Sequence, residues 1–403
     1  MGLPTASEEQ WRYSRVDELD LDRYSPLSAG RPATALPGRI EDLVVASGAT
    51  TVVVVGDGLD VSLRARADPV SVSSGAAPDG ELEAVEGPAA GDAFGALNDA
   101  FSLPLRVEVE AGTRPGPVLV VHWLGADRAA VFPRTCFVVG QRAEVELLEV
   151  AVSADVDALS VPRSDVEVGD GAVVDYLHLQ QLGSRVWQVA EQSSRVGRDA
   201  TLRSCAVALG GDYTRVRTAS SLRGTGGTTR LLAVYFGSGS RMVDFRTVQE
   251  HKAPRTTSEL LFKGAVANRS RAVYTGLIRV DKGAAGTNAF QTNRNLVLHA
   301  GARADSVPNL EIEDNDVRCS HASAVGPISE DQRFYLASRG VPPDAADRLI
   351  TLGFLDEVLQ RTAQPAVADH VRRELVAALD EAERLEGIGG GAGPGAKRRE
   401  VER

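Results

Sequence analysis

A short pattern, Gly-x-x-Ala-x-apolar, recurs along the middle of the chain at nearly constant spacing. It occurs at Gly140-Gln-Arg-Ala143-Glu-Val145, Gly169-Asp-Gly-Ala172-Val-Val174 and Gly197-Arg-Asp-Ala200-Thr-Leu202, with a degenerate copy at Gly227-Thr-Thr-Arg230-Leu-Leu232. Counted along the sequence, these four starts lie 29, 28 and 30 residues apart. Weaker copies follow at Arg269-Ser-Arg-Ala272 and Gly301-Ala-Arg-Ala304. A unit of this length buries its apolar face only by stacking on its neighbours, so the repeat predicts a solenoid. In that reading a Gly turns each coil, a small Ala packs inward at the corner, and a strand begins. Alternating segments such as Val166-Glu-Val168 and Thr201-Leu-Arg-Ser-Cys205-Ala-Val207 keep one face inside. No helical pattern of 10–15 residues separates the strands, which excludes a doubly wound α/β fold. The core is therefore mainly β. A stacked β-helix fits the pattern, and so does a large antiparallel sandwich.

The flanks differ from this middle. Residues 8–24 carry Trp11, Tyr13, Leu19, Leu21 and Tyr24 among many charges, as expected of a short helix or arm that docks by its aromatics. Residues 25–40 read as a connector. Leu43-Val-Val45 and Thr51-Val-Val-Val-Val55 are β-branched runs that read as strands, and Gly56-Asp-Gly58 reads as a turn between strands. Residues 68–92 are rich in Pro, Gly, Ala and Glu and read as loose, with one short helix expected over Ala93–Ser102. After about residue 323 helices take over. Ser329-Glu-Asp-Gln332 has capping-box spacing, and that helix should stop at Gly340, before Pro342-Pro343. A second helix follows from Asp344, and a third, after Pro365, repeats Val367, Val371, Leu375 and Leu379 at helical spacing. The expected division is an N-terminal mixed region over 1–103, a β core over 104–322, a helical domain over 323–386 and a flexible tail over 387–403.

At the seam between strands and helices the chain places Cys319 and His321 two residues apart. In an extended segment, residues i and i+2 point to one face. A thiolate and an imidazole suit iron or a transient iron–sulfur species. The alternative is a small buried thiol beside a hydrogen-bonded structural histidine. Two ligands do not close a four-ligand site, so the chain would supply only part of one. His299 lies about one coil before His321 and is expected on an adjacent rung. Cys136 and Cys205 sit in apolar alternation and read as core. His251, in Gln249-Glu-His-Lys252, reads as surface, and His122 and His178 have no partner nearby in sequence. No Gly-x-Ser-x-Gly, His-Glu-x-x-His or Gly-Lys-Ser/Thr motif occurs, so no hydrolase centre or nucleotide loop is legible.

The segment Arg318-Cys-Ser-His321-Ala-Ser323, followed after a spacer by Phe334-Tyr-Leu-Ala-Ser-Arg-Gly-Val341, resembles the C-terminal signature of the SufB/SufD family of iron–sulfur cluster assembly scaffolds. Cys-Ser-His stands where SufB has a His-Glu pair, which is nearer SufD. Phe290-Gln-Thr-Asn-Arg-Asn-Leu296 and Trp11-Arg-Tyr13 also look like SufD. The resemblance covers most of residues 8–360 and is strongest over 245–355. It implies a right-handed parallel β-helix. It also implies a non-catalytic scaffold role, in which a nascent iron–sulfur cluster is built at an interface with SufB and His321 contributes to it. His299 stands in the neighbourhood where SufB carries its cluster cysteine. The resemblance further implies that the ABC-type ATPase SufC docks on the C-terminal helices, where Leu349, Ile350, Leu352, Gly353, Phe354 and Leu355 offer more apolar surface than one packing stripe needs. A homodimer is expected for the chain alone, and whether the complex binds a flavin stays open.

Bulk properties agree. A formal charge of −11 argues against nucleic acid or an anionic membrane as the main partner. Three distant cysteines without a Cys-x-x-Cys fit a reduced, cytoplasmic setting, and no apolar run approaches the roughly 20 residues that span a bilayer. A competing function is a β-helix lyase or hydrolase acting on polysaccharide, with Asp281 and Lys282 as candidates. Aromatic residues make up only 5% of the chain, few for stacking against sugars.

Overall fold

The computed structural model describes residues 2–33, 35–75 and 92–389. Two stacked sheets of mainly parallel strands form a β-solenoid of about eight turns. The chain alternates between them. The first sheet runs from Val70–Ser74 and Pro104–Val109 through to Arg271–Val280 and Arg303–Ile312. The second runs from Asp60–Ala65 and Thr51–Gly56 through Val118–Leu124 to Thr287–Val297 and Val317–Gly326. Thr51–Gly56 pairs parallel with Val118–Leu124, so the second sheet reaches into the expected N-terminal mixed region. Asp57 and Gly58 take positive φ and turn this strand into an antiparallel hairpin with Asp60–Ala65.

The repeat is the corner that leads into the second sheet. Ala143, Ala172 and Ala200 are buried there, as their size requires. The motif glycines serve a different end from the one expected. A Cβ on Gly140 would sit 2.5 Å from the Ala111 nitrogen, and one on Gly169 would sit 2.8 Å from the Gln141 nitrogen. Glycine thus lets one coil's backbone lie against the next, while the left-handed turn falls two residues later, at Arg142, Gly171 and Asp199. The fourth copy is displaced from the expected register. Thr201 pairs with Thr228, so the counterpart of Gly197 is Gly224, not Gly227. The weaker copies at Arg269 and Gly301 precede strands of the first sheet and belong to the opposite corner.

Five α-helices flank the solenoid among the described residues: α1 (Gly38–Ala46), α2 (Ala93–Phe101), α3 (Glu330–Ser338), α4 (Pro343–Leu359) and α5 (Pro365–Gly389). Leu43–Val45, expected as a strand, lies in α1, where Ile40 and Leu43 make the buried stripe. β-branched residues at the end of a short run follow that stripe rather than their own propensity. The N-terminal arm is three 3₁₀ turns. Its Trp11 packs on Phe94 of α2 and under the Arg215 guanidinium, 3.8 Å from the ring centre. The outer face of the second sheet is covered by α1, α4 and α5: Leu148, Leu177, Cys205 and Leu232 share one apolar cluster with Leu355, Val358, Val371 and Leu375. Much of the expected loose segment lies outside the described residues, although Val70–Ser74 within it is a strand. The helix expected to end at residue 386 runs to Gly389, and the rest of the expected tail lies outside the described residues.

Ser329 occupies the N-cap of α3, but its side chain makes no capping hydrogen bond. The capping box is thus not formed. The first turn is exposed, so water can satisfy its N–H groups, and Glu330 and Asp331 complement the helix dipole. Gly340 takes a φ of +83° after this helix, as its position required.

Candidate functional site

The solenoid ends on an open coil. Arg303–Ile312 and Val317–Gly326 are the last strands of the two sheets, each paired on one side only. In-register pairing sets their faces. Cys319 lies opposite Ala289 and His321 opposite Gln291, both inward positions of the preceding coil. Cys319 and His321 therefore face the same side, at the mouth of the solenoid. Cys319 is half-buried against a cluster of Ile278, Val280, Ala284 and Ala289. Burial raises its thiol pKa, only partly opposed by a hydrogen bond with the Ala289 backbone. His321 is exposed. Beneath it, Gln291 is buried, and neither polar atom of its amide has a partner among the described residues. Leu310, Ile312 and Val325 stay exposed along the same rim. No group of three or more His, Cys, Asp or Glu residues among those described is arranged to hold a metal ion.

His299 does not join them. It lies beyond the end of Thr287–Val297, and the six residues from Gln291 to Val297 span about 20 Å of strand. Its Nδ1 accepts the Asn268 N–H at 2.7 Å and lies 3.5 Å from Glu386 of α5. The expected stacking of His299 on His321 is therefore absent. The ring instead serves a corner, where Asn268 holds a positive φ.

The apolar surplus on α4 is smaller than its sequence suggested. Leu355 is fully buried, Leu352 and Phe354 pack against the core, and Lys263 lies 4.3 Å above the Phe354 ring. Leu349 (55% exposed) and Gly353 face solvent, with Ile350 half-buried. The larger exposed apolar surface is on α3, which has no buried residue: Phe334 is 77% exposed, and Tyr335 stands beside it. Arg333 ties α3 to α4 through two bonds to Asp347, at 2.7 and 2.8 Å.

Three histidines lie where their sequence neighbours did not suggest. His251 is fully buried, against the expectation of a surface position. Its ring bonds Thr256 and Ser258, and burial pushes its pKa down to about 4. His122 is 2.8 Å from the Glu149 carboxylate, which also accepts hydrogen bonds from Ser164 and Tyr176. Burial alone would raise the Glu149 pKa, but the His122 bond and the nearby imidazoles outweigh it and bring it to about 2. His178 pairs in register with Glu149, and burial keeps it neutral to lower pH than usual. The signal was available: Glu149 and His178 lie 29 residues apart, one coil of the repeat. Cys205 is buried under the helices, as expected of core. Cys136 instead pairs with Asp165 on the outer face of the first sheet and is only partly covered.

The family model for the SUF system FeS cluster assembly SufBD core domain matches residues 122–354. The chain belongs to the SufBD family. An iron–sulfur cluster assembly SufBD family protein of Mycobacterium tuberculosis is 36% identical over 245 residues, 58% of this chain and 61% of that protein. The iron–sulfur cluster assembly protein SufD of Escherichia coli is 28% identical over 375 residues, 89% of this chain and 85% of that one. SufD of Bacillus subtilis is 28% identical over 281 residues, 69% and 62% of the two chains. This SufBD-family chain spans about half to 61% of the length of the mycobacterial relatives it matches. The SufD character suggested by Cys319-Ser-His321 agrees with these alignments. No helix among the described residues is long and apolar enough to cross a membrane.

Proposed function

We propose that this SufBD-family chain is a non-catalytic, cytoplasmic scaffold subunit that helps build an iron–sulfur cluster at the open end of its solenoid. The observation that carries the reading is the coincidence of three features on the last coil: two edge strands with free backbone groups, an exposed apolar rim, and Cys319 and His321 facing one side. A second solenoid of the SufB type adds its own strands to those edges and supplies the remaining ligands. His321 is the readier ligand, since its ring is exposed while the Cys319 thiol is half-buried against apolar residues and its pKa is raised. The nascent cluster is cargo, held between the two chains. In the absence of SufB, the same edges accept a second copy of this chain.

The ATPase partner, SufC, docks on the exposed face of α3 and α4, centred on Phe334, Tyr335 and Leu349. The SufD relatives and this unpacked apolar surface support that reading. Co-expression with SufB and SufC tests both surfaces. Ile312→Lys with Val325→Lys should abolish capture of SufB and retain SufC, and Phe334→Asp with Leu349→Asp should do the reverse. Both partners captured by both folded variants would refute the assignment.

A further inference from the structure

We infer that the groove between the N-terminal arm and the outer face of the first sheet is a binding site for a small organic anion. Arg215, Arg217 and Arg246 form its floor, in a cavity of about 600 Å³. Arg217 and Arg246 are in-register partners on adjacent strands, so their side chains leave the sheet about 5 Å apart on one face. Like charges so placed repel unless something neutralises them. Among the described residues, only two carboxylates are hydrogen-bonded to them. Asp244 accepts from both Arg215 and Arg246, at 2.7 and 2.6 Å, and Glu191 accepts from Arg217 at 2.7 Å. Three guanidiniums thus share two carboxylates.

The remaining bonds leave one guanidinium donor over. Arg215 and Arg246 spend their other donors on the Gln10 and Arg12 carbonyls of the arm, and Arg246 also reaches Thr275. Arg217 is more than nine-tenths buried, yet its Nη2 has no partner among the described residues. A buried, unpaired guanidinium N–H is costly, and a carboxylate or phosphate is the group whose geometry it matches. Val248 and Leu277 give the cavity an apolar wall for the body of such a ligand. Glu8, Glu9 and Glu311 also line the cavity, but all three are exposed to solvent, where their charge is screened, and Glu311 is paired with Arg279. The ligand class is therefore a small molecule with an anionic head, phosphate or carboxylate, and an apolar body. Neither Cys319 nor His321 takes part.

The test is calorimetric titration of the full chain, in phosphate-free buffer of low ionic strength. The probes are phenyl phosphate and phenylacetate, with benzyl alcohol as the neutral control. We expect saturable binding of at least one anion and none of benzyl alcohol, and the anion that binds identifies the head group. Arg217→Gln should weaken binding at least about tenfold, the loss expected for one charge-assisted contact. Asn309→Trp closes the groove by bulk from an exposed lining position and leaves every arginine pair intact. It should abolish binding even if Arg217→Gln does not fold. The inference is overturned if neither anion saturates, if benzyl alcohol binds as well as the anions, or if a folded variant binds like the wild type. It is also overturned if an acidic peptide binds while both small anions do not, which would make the groove a protein-docking surface.

Discussion

Glu149 stays ionised inside the solenoid because one hydroxyl, one phenol and one imidazole all direct hydrogen-bond donors at it. His251 solves the opposite problem and stays neutral, with its ring between two hydroxyls. This has a consequence for stability. The folded pKa of His251, about 4, lies below its ordinary 6.5. Between those values the unfolded chain binds a proton that the folded chain refuses, so stability is full above pH 6.5 and falls as pH drops towards 4. The loss is at most about 3 kcal/mol for a shift of this size. His251→Gln keeps a hydrogen-bonding side chain and removes the titration. Its urea midpoint should fall less than that of the wild type between pH 7 and 4.5, and equal falls would show that His251 does not carry the effect. The flanking Glu250 and Lys252 misled the reading of this residue, because neighbours in a strand face opposite sides. Charged neighbours report the outer face and say nothing of the residue between them. Contacts one coil apart, such as Glu149 with His178, are visible only when the repeat is used as a ruler.

At the scale of elements, α4 has two faces, and its residues should respond accordingly. Leu355 lies at the centre of the seam between α4 and the second sheet, so Leu355→Ala should destabilise the chain by about 2–5 kcal/mol in denaturant unfolding. A loss under 1 kcal/mol would place it outside the core. Gly353 is in mid-helix, and a Cβ there meets open space. Gly353→Ala should raise stability by about 1 kcal/mol from helix propensity alone. If SufC sits closely on this face, the same change should weaken its capture, whereas unimpaired capture would put the contact elsewhere on α3 and α4. Gly264 behaves differently: its Cβ would overlap the Tyr235 ring, so Gly264→Ala should destabilise by about 1–3 kcal/mol. Helix positions were legible because periodicity and proline breaks are local signals. Which side of α4 is covered was not legible, since that depends on where the helix lands on a sheet built from distant coils. The short α1 was missed for the same reason.

For the whole molecule, the repeat was enough to give a mainly β core, with a stacked β-helix and an antiparallel sandwich both open to it, and the seam marked where the strands end. The displaced fourth copy shows the limit of this reading: pairing register follows the strands, and a degenerate corner can slide by three residues without a sequence mark. A free edge on two sheets is an invitation to pair with another chain, and here it coincides with Cys319 and His321. His299 drops out, tied to the Asn268 corner and α5. The role proposed for His321 is to hold cargo at this edge. His321→Ala removes an exposed ring, so folding and assembly with SufB and SufC should persist, with a stability change of about 1 kcal/mol or less. The decisive measurement is iron and sulfide content, with visible absorption, of the complex purified anaerobically with either version. The alanine complex should assemble and hydrolyse ATP but carry little cluster. Equal iron and sulfide in the two complexes would contradict it.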